Sequence, residues 1–280
     1  MRKIRSDTIS NAVKKLCAEA NFNLPVDVLK ALRKNVVLEE EKNAKDILKE
    51  IIENANIARK ERIPLCQDTG IANFFVKLGK NVFIDGKNIY YAINRGVSMG
   101  YKGNYLRNSI VSDPIERKNT NNNTPANIYI DIVSGDKIKI TFLPKGGGSE
   151  NACALKMLIP SLGWCDVERF IVDVVSNKGK NACPPLIIGI GIGGDFASVS
   201  LLSKKALLRK INSKNKIPFY AEKEMKLLNI INSLNIGPMN LGGKTTALAV
   251  FIESRPTHIA SFPVAVSIQC HSCKRSTIVI

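Results

Sequence analysis

Two stretches of strictly alternating apolar residues constrain the fold of this chain most strongly. Isoleucine occupies every second position of residues 128–132, and apolar side chains alternate again over residues 138–142. Because successive side chains of a strand point to opposite faces, each stretch predicts a β-strand with one buried face. The segment between them, Ser134-Gly135-Asp136, is typical of a turn, so the sequence predicts a β-hairpin.

Helical patterns and further apolar runs surround this pair of strands. Over residues 1–62 apolar side chains recur at helical spacing, as at Ile9, Val13 and Leu16, and Pro25 suits the first turn of a second helix. Farther along, the sequence predicts strands at residues 71–79, 186–192, 247–253 and 263–269, and helices at 87–99, 151–158, 166–177, 195–209 and 219–233.

This mixture predicts an α/β fold with mixed sheet segments flanked by helices. We expect a single domain over residues 1–280, in which residues 1–62 form a helical N-terminal region and residues 63–280 form an α/β region. The length of 280 residues and the 45% share of hydrophobic side chains suffice for a sizeable core.

Composition also bounds where the protein works. The sequence contains no apolar run of about 18 residues or more, and residues 1–7 lack the apolar core of a secretory signal, so we expect a cytoplasmic protein without membrane association. Its seven cysteines are odd in number and irregularly spaced, which favours reduced thiols. The only close pair is Cys270 with Cys273, so a structural zinc site is not expected.

The formal net charge of +17 leaves open a basic nucleic-acid-binding module as an alternative class of protein. Lysines are spread along the whole chain, however, and aromatic residues make up only 6% of it. Few side chains are therefore available to stack on bases. We expect lysines on solvated surfaces and no nucleic-acid partner.

Two glycine-rich segments imitate nucleotide-binding motifs. Residues 189–194 fit G-x-G-x-x-G, but residues 210–216 offer neither the second strand nor the acidic residue that a dinucleotide site requires. Residues 237–245 imitate a P-loop, yet the first glycine stands one residue too early and a predicted helix precedes it. We interpret both segments as sites of close backbone packing, with a nucleotide enzyme as a minor alternative.

The segment Cys66-Gln67-Asp68-Thr69-Gly70 places a soft metal ligand beside an amide, a carboxylate and a hydroxyl. A glycine-rich loop at residues 144–150 leads into the predicted helix at 151–158, so its amides would point at an anion. Four further blocks follow the cysteine segment in order: KGGGSEN at 145–151, CPP at 183–185, GPMNLGGKTT at 237–246 and PTHIASFPVAV at 256–266.

Together these motifs resemble the alpha subunit of two-subunit class I fumarate hydratases and L-tartrate dehydratases. The resemblance covers residues 5–272 in the motif order of the family. It implies that Cys66, Cys183 and Cys270 hold a [4Fe-4S] cluster in which one iron has no protein ligand. Thiolates are the ligands that such clusters use, and an open iron can act as a Lewis acid. Cys273 departs from the family pattern, but the block upstream favours Cys270 as the third ligand.

The resemblance also implies roles for residues around the cluster. Asp68 and His258 are the implied catalytic residues, and Asp68 is the candidate general base within this chain. The residues implied to bind substrate are Gln67, Asp68, Arg107 as a carboxylate clamp, Gly147, Gly148 and His258. The remaining cysteines, Cys17, Cys153 and Cys165, match no motif of the family.

The implied activity is reversible hydration of fumarate to L-malate, a hydro-lyase reaction of the tricarboxylic acid cycle. Its alternative is dehydration of L(+)-tartrate to oxaloacetate, in which the substrate carries one hydroxyl more than L-malate. Single-chain members of the family continue into a second domain that completes the pocket for the small dicarboxylate substrate. The resemblance therefore implies a separate beta subunit as partner and a heterotetramer of two copies of each subunit.

Overall fold

The N-terminal part of the chain is helical, as the spacing of its apolar residues predicts. In the computed structural model, which describes residues 1–280, a short strand β1 (Arg2–Arg5) precedes three helices: α1 (Ser6–Phe22), α2 (Val26–Leu38) and α3 (Lys42–Glu61). None of the helices combines the length and apolar composition needed to cross a lipid bilayer.

Contacts between Cα atoms divide the chain into two units. The first comprises Met1–Pro25, Ala55–Gly147 and Lys274–Ile280, and the second comprises Val26–Asn54 and Gly148–Cys273. That both fold together as the single domain expected from the sequence stays a prediction.

A four-stranded mixed sheet forms the centre of the first unit. Its strand order is β10-β5-β2-β4, where the strands are β2 (Ile71–Gly79), β4 (Asn127–Val133), β5 (Ile138–Lys145) and β10 (Ser276–Val279). Strand β3 (Val82–Asp85) pairs with β1, and helix α4 (Ile89–Gly103) packs with α1. Side chains from both helices and from β2 and β5 share one apolar core, in which Phe74 stacks on Phe142 with ring centroids 4.8 Å apart.

The predicted hairpin is wrong, although both of its strands exist. Strand β2 lies between them, parallel to β4 and antiparallel to β5, so that Phe74 is opposite both Ile128 and Phe142. The apolar run of β2 needs a partner on each side, and it outcompetes direct pairing of the two later strands. Their connection crosses the end of β2, where Gly79 donates its amide to the Lys137 carbonyl at 2.9 Å.

The second unit contains another four-stranded mixed sheet, of order β6-β9-β7-β8. Its strands are β6 (Ala154–Leu158), β7 (Leu186–Gly194), β8 (Ala247–Thr257) and β9 (Phe262–Gln269), and its later helices are α6 (Trp164–Lys178), α7 (Phe196–Ala206) and α8 (Pro218–Asn232). Apolar side chains of α6 and α8 share a core with one face of β7. The α/β class with mixed sheets and flanking helices is confirmed.

Residues 151–158 do not form the predicted helix. A short helix α5 (Gly147–Asn151) ends where that helix was expected to begin, and most of the remaining residues form β6, which pairs antiparallel with β9. Pairing along β9 supplies these residues with hydrogen bonds between strands, so tertiary context overrides their local helical pattern.

The glycines of residues 189–194 let α7 approach β7 closely. A Cβ atom on Gly189 would lie 2.3 Å from the Ser203 carbonyl oxygen, and one on Gly191 would lie 2.4 Å from that of Val199. Only glycine fits such contacts, because real Cβ atoms do not approach a backbone oxygen that closely. Close backbone packing, the interpretation favoured for this segment, is confirmed.

Candidate functional site

Cys66 lies in a solvent-exposed turn between α3 and β2 in the first unit. Its neighbour Leu65 is buried, packs with Ala55 and Ala58, and donates its amide to the Asn21 carbonyl at 2.8 Å. The Cys66 sulfur accepts the Asp68 amide at 3.4 Å. The turn is therefore anchored on its N-terminal side, while the side chains of Cys66 and Gln67 face solvent.

Asp68 connects this turn to the glycine-rich loop that follows β5. Its Oδ1 accepts the Gly70 amide at 3.0 Å, and its Oδ2 accepts the Gly147 amide at 2.7 Å. The Asp68 main-chain oxygen accepts a hydrogen bond from the Lys274 ammonium at 2.6 Å. The glycine-rich loop thus does bind an anion, as its sequence predicts, and that anion is a carboxylate of the same chain.

The backbone of Thr69 and Gly70 is held by buried side chains. Tyr101 donates its hydroxyl to the carbonyls of both residues, at 2.9 and 3.1 Å. Burial raises the pKa of Tyr101 well above its ordinary value, so the hydroxyl keeps its proton at neutral pH and serves as a donor. Asn123, also fully buried, donates to the Gly70 carbonyl at 3.2 Å and accepts the Ser109 amide at 2.7 Å.

These contacts also position Arg107. The Thr69 hydroxyl donates to the Arg107 carbonyl at 2.8 Å, and the side chain of Arg107 is exposed. The first unit therefore brings together Cys66, Asp68 and Gly147 directly, and it links the backbone of Arg107 to the same turn. The sequence did not indicate the roles of Thr69, Tyr101 and Asn123, because no sequence motif marks a buried hydrogen-bond donor.

In the second unit, the segments that carry Cys183 and Cys270 are tied together by His271. The His271 amide and its Nδ1 lie 3.2 and 3.0 Å from the Cys183 carbonyl oxygen. Since a carbonyl can only accept, Nδ1 carries the proton and Nε2 is the acceptor in the neutral ring. Cys183 is exposed and has a left-handed backbone, with φ of 51°. Cys270 is half-buried, with its sulfur 3.0 Å from the Ser272 hydroxyl.

The other cysteines lie in different environments. Cys273 is 0% exposed, and its amide donates to the Cys270 carbonyl at 3.0 Å. Burial raises the pKa of the Cys17 thiol well above its ordinary value, which disfavours the thiolate. Cys153 is partly buried and Cys165 is exposed, and none of the seven cysteines forms a disulfide. Within neither unit do three or more His, Cys, Asp or Glu side chains form a group that could hold a metal ion.

His258 occupies the exposed turn between β8 and β9. Its Nδ1 accepts the Ala260 amide at 3.1 Å, so a neutral His258 carries its proton on Nε2. The hydroxyl of Thr257 anchors the turn on β7 by donating to the Gly194 carbonyl at 2.8 Å. Gly148 is exposed, and a Cβ atom there would lie 3.1 Å from the carbonyl oxygen of Asn181, two residues before Cys183.

The P-loop-like segment binds a carboxylate as well. Glu39, which is 2% exposed, accepts the Lys244 amide at 3.1 Å, the Thr245 amide at 2.9 Å and the Thr245 hydroxyl at 2.7 Å. Burial by itself raises the pKa of Glu39, but these hydrogen bonds together outweigh burial and leave the pKa below its ordinary value. The amides that a phosphate would need in this segment therefore hold Glu39 in place.

Comparison with known proteins identifies the family of the chain. The model of the fumarate hydratase (Fumerase) family matches residues 10–279. This chain belongs to the fumarate hydratase family, and the resemblance drawn from its motifs is confirmed.

Similar proteins carry the names of alpha subunits. A protein of Methanocaldococcus jannaschii, provisionally named L(+)-tartrate dehydratase subunit alpha, is 42% identical over 274 residues, which cover 96% of each chain. The L(+)-tartrate dehydratase subunit alpha of Escherichia coli K12 is 31% identical over 275 residues, covering 97% of this chain and 90% of the relative. The predicted enzyme class, a hydro-lyase, is confirmed at the level of the family, and the names imply that these relatives work with another subunit.

Replacing Glu39 tests its role in the glycine-rich segment. Glu39→Gln exchanges one carboxylate oxygen for an NH₂ group that cannot accept an amide hydrogen bond, so at neutral pH we expect the free energy of unfolding to fall by about 1–3 kcal/mol. The depressed pKa of Glu39 contributes stability above the unfolded carboxyl pKa of about 4.3, and this contribution is lost as pH falls through the folded pKa. The difference in free energy of unfolding between the wild type and Glu39→Gln should therefore become smaller below about pH 4.

The control is Glu40→Gln, since Glu40 is exposed and forms a surface ion pair with the Lys244 ammonium. We expect this change to alter the free energy of unfolding by less than about 0.5 kcal/mol. Urea titrations at several pH values measure both variants. Equal effects of the two substitutions would contradict the role given to Glu39. So would a loss of unfolding free energy in Glu39→Gln that does not depend on pH.

Proposed function

We propose that this chain is the alpha subunit of a [4Fe-4S]-dependent hydro-lyase that hydrates fumarate reversibly to L-malate. The observation that carries the proposal is the match of the fumarate hydratase family over residues 10–279. The accessible thiols of the motif segments and the carboxylate beside one of them support it.

The available donors fit an iron–sulfur cluster in their chemistry. Cys66 and Cys183 are exposed and Cys270 is half-buried, so three thiols that belong to the matched motifs are accessible to a ligand. Cys273, the competing candidate, is fully buried. Cys66, Cys183 and Cys270 would hold the cluster, and an iron without a protein ligand would supply Lewis acidity toward the substrate.

Asp68 is the group in this chain that would take the proton from the substrate carbon. Two amides hold its carboxylate in one orientation, from Gly70 and from Gly147. A carboxylate offers about four lone-pair sites, so Asp68 retains capacity to accept a proton from a bound substrate. A base held in a fixed orientation needs no rearrangement when the proton moves.

Four other residues would bind and orient the dicarboxylate. The exposed guanidinium of Arg107 matches a carboxylate in geometry, and the exposed amide of Gln67 can donate beside it. Of the two glycine amides, that of Gly147 is already donated to Asp68, which favours Gly148 as the backbone contact. A neutral His258 presents an Nε2 proton to a hydroxyl or carboxylate oxygen.

The complete enzyme would contain a beta subunit, arranged with the alpha subunit as a heterotetramer. The names of the relatives support a second subunit, because each is called subunit alpha. A net charge of +17 suits an acidic partner and a dianionic substrate. The odd number and irregular spacing of the seven cysteines favour a reducing, cytoplasmic compartment, where fumarate hydration would serve the tricarboxylic acid cycle.

Dehydration of L(+)-tartrate to oxaloacetate is the second candidate, favoured by the names of relatives that are 31% to 42% identical. Anaerobic assays of the complex of both subunits with L-malate and with L(+)-tartrate decide between the two. The ratio of the two kcat/KM values measures discrimination between the substrates directly. We expect the larger kcat/KM for L-malate. A larger kcat/KM for L(+)-tartrate would make this protein a tartrate dehydratase instead.

Serine substitutions test the three cluster ligands. We expect Cys66→Ser, Cys183→Ser and Cys270→Ser each to abolish retention of iron and sulfide after anaerobic reconstitution, because a neutral hydroxyl is a poor substitute for a thiolate. Cys273→Ser should retain both, and Cys165→Ser, at an exposed cysteine outside the motifs, serves as control. Equal iron loss in Cys270→Ser and Cys273→Ser, with both variants folded by circular dichroism, would overturn the assignment.

A further inference from the structure

Lys274 is a buried cation at the point where the chain enters its C-terminal segment. The residue is 4% exposed, and its ammonium lies 2.6 Å from the main-chain oxygen of Asp68. Burying a lysine is costly unless its charge is well partnered. A short hydrogen bond from a buried ammonium to one particular carbonyl therefore indicates that the location of this charge matters to the turn it contacts.

That turn is held at every polar atom of Asp68. The amide donates to the Cys66 sulfur, the two carboxylate oxygens accept from Gly70 and Gly147, and the carbonyl accepts from Lys274. The other partners all lie in the Cys66 turn or in the glycine-rich loop. Lys274 alone among these partners comes from the C-terminal segment, and its hydrogen bond is the only one of the four with a cationic donor.

The contact with Lys274 restrains the Asp68 carbonyl. A carbonyl that accepts from a fixed ammonium cannot rotate away without losing a charge-assisted bond, which is about twice as strong as a neutral one. The same peptide plane orients the residue whose side chain binds Gly147. A neutral side chain at position 274 would remove the charged donor of the Asp68 carbonyl, while the bonds of Asp68 to Cys66, Gly70 and Gly147 would remain.

We propose that Lys274 is a positioning residue, which holds the Cys66–Asp68 turn in the orientation that presents Cys66 and Asp68 to the cluster and the substrate. Its effect on catalysis rests on the function proposed above, whereas its effect on the turn does not. In the sequence, Lys274 carries no motif of its own and directly follows Cys273, the residue that departs from the family pattern.

Hydrogen exchange in the full chain without cluster or substrate tests the effect on the turn. We expect Lys274→Met to accelerate exchange of amides in residues 66–70 by about 10- to 100-fold, the range that corresponds to loss of a hydrogen bond to a charged group. Exchange in β5 and in α1 should stay unchanged. Lys274→Arg, which keeps a cationic donor, should remain close to the wild-type rate.

Lys226→Met is the matched control, because Lys226 is half-exposed and pairs with Glu168 on the surface. This control should exchange like the wild type throughout. Acceleration across the whole first unit in Lys274→Met would show a purely structural role and overturn the proposal. An unchanged rate in residues 66–70 would overturn it as well.

Kinetics of the assembled complex test the effect on catalysis. Per bound cluster, Lys274→Met should lower kcat by about tenfold or more while KM changes little, since a misdirected base impairs the reaction more than binding. Lys274→Arg should restore most of kcat. A rise of KM by about tenfold in Lys274→Met, without loss of kcat, would contradict the role of Lys274 in positioning Asp68. Inactivity of the wild-type complex would count against the proposed function. The hydrogen-exchange result would still test the effect of Lys274 on the turn, because it does not depend on activity.

Discussion

The proposed site depends on one interaction, the hydrogen bonds that the Asp68 carboxylate accepts from the amides of Gly70 and Gly147. It joins the Cys66 turn to the glycine-rich loop after β5, and these segments are far apart in sequence. Gly146 also lies against this carboxylate, and a Cβ atom there would come within 2.8 Å of Oδ2, so a larger residue would displace the carboxylate. One side chain thus fixes a candidate cluster ligand, a candidate base and the loop beside them.

The same physical device recurs in the second unit. Glu39 occupies the amides of residues 244 and 245 much as Asp68 occupies that of Gly147. Both glycine-rich segments look from sequence like binding sites for phosphate or another external anion, and both bind a carboxylate of their own chain. Backbone amides attract any well-placed anion, and a tethered carboxylate has the advantage of proximity. The motifs therefore stabilise the loops themselves.

Much of the architecture could be predicted, since long apolar runs and helical spacing identify elements such as β2, β7 and α8. The order of the strands could not. The insertion of β2 between β4 and β5, and the pairing of β6 with β9, depend on contacts between distant residues that local patterns do not encode. The same holds for the site. Motif positions indicated Cys66 and Asp68, but only the structure shows that Lys274, Tyr101 and Asn123 are buried donors to the carbonyls of residues 68–70.

Under the proposed function, thiolates from Cys66, Cys183 and Cys270 leave one iron of a cluster open for the substrate. Mössbauer spectroscopy of the iron-57-loaded complex of both subunits tests it most directly. We expect saturating L-malate to shift the signal of a single iron site and to leave the other irons of the cluster unchanged, because only that iron lacks a protein ligand. A spectrum in which no iron responds to substrate, in a complex that turns L-malate over, would contradict it.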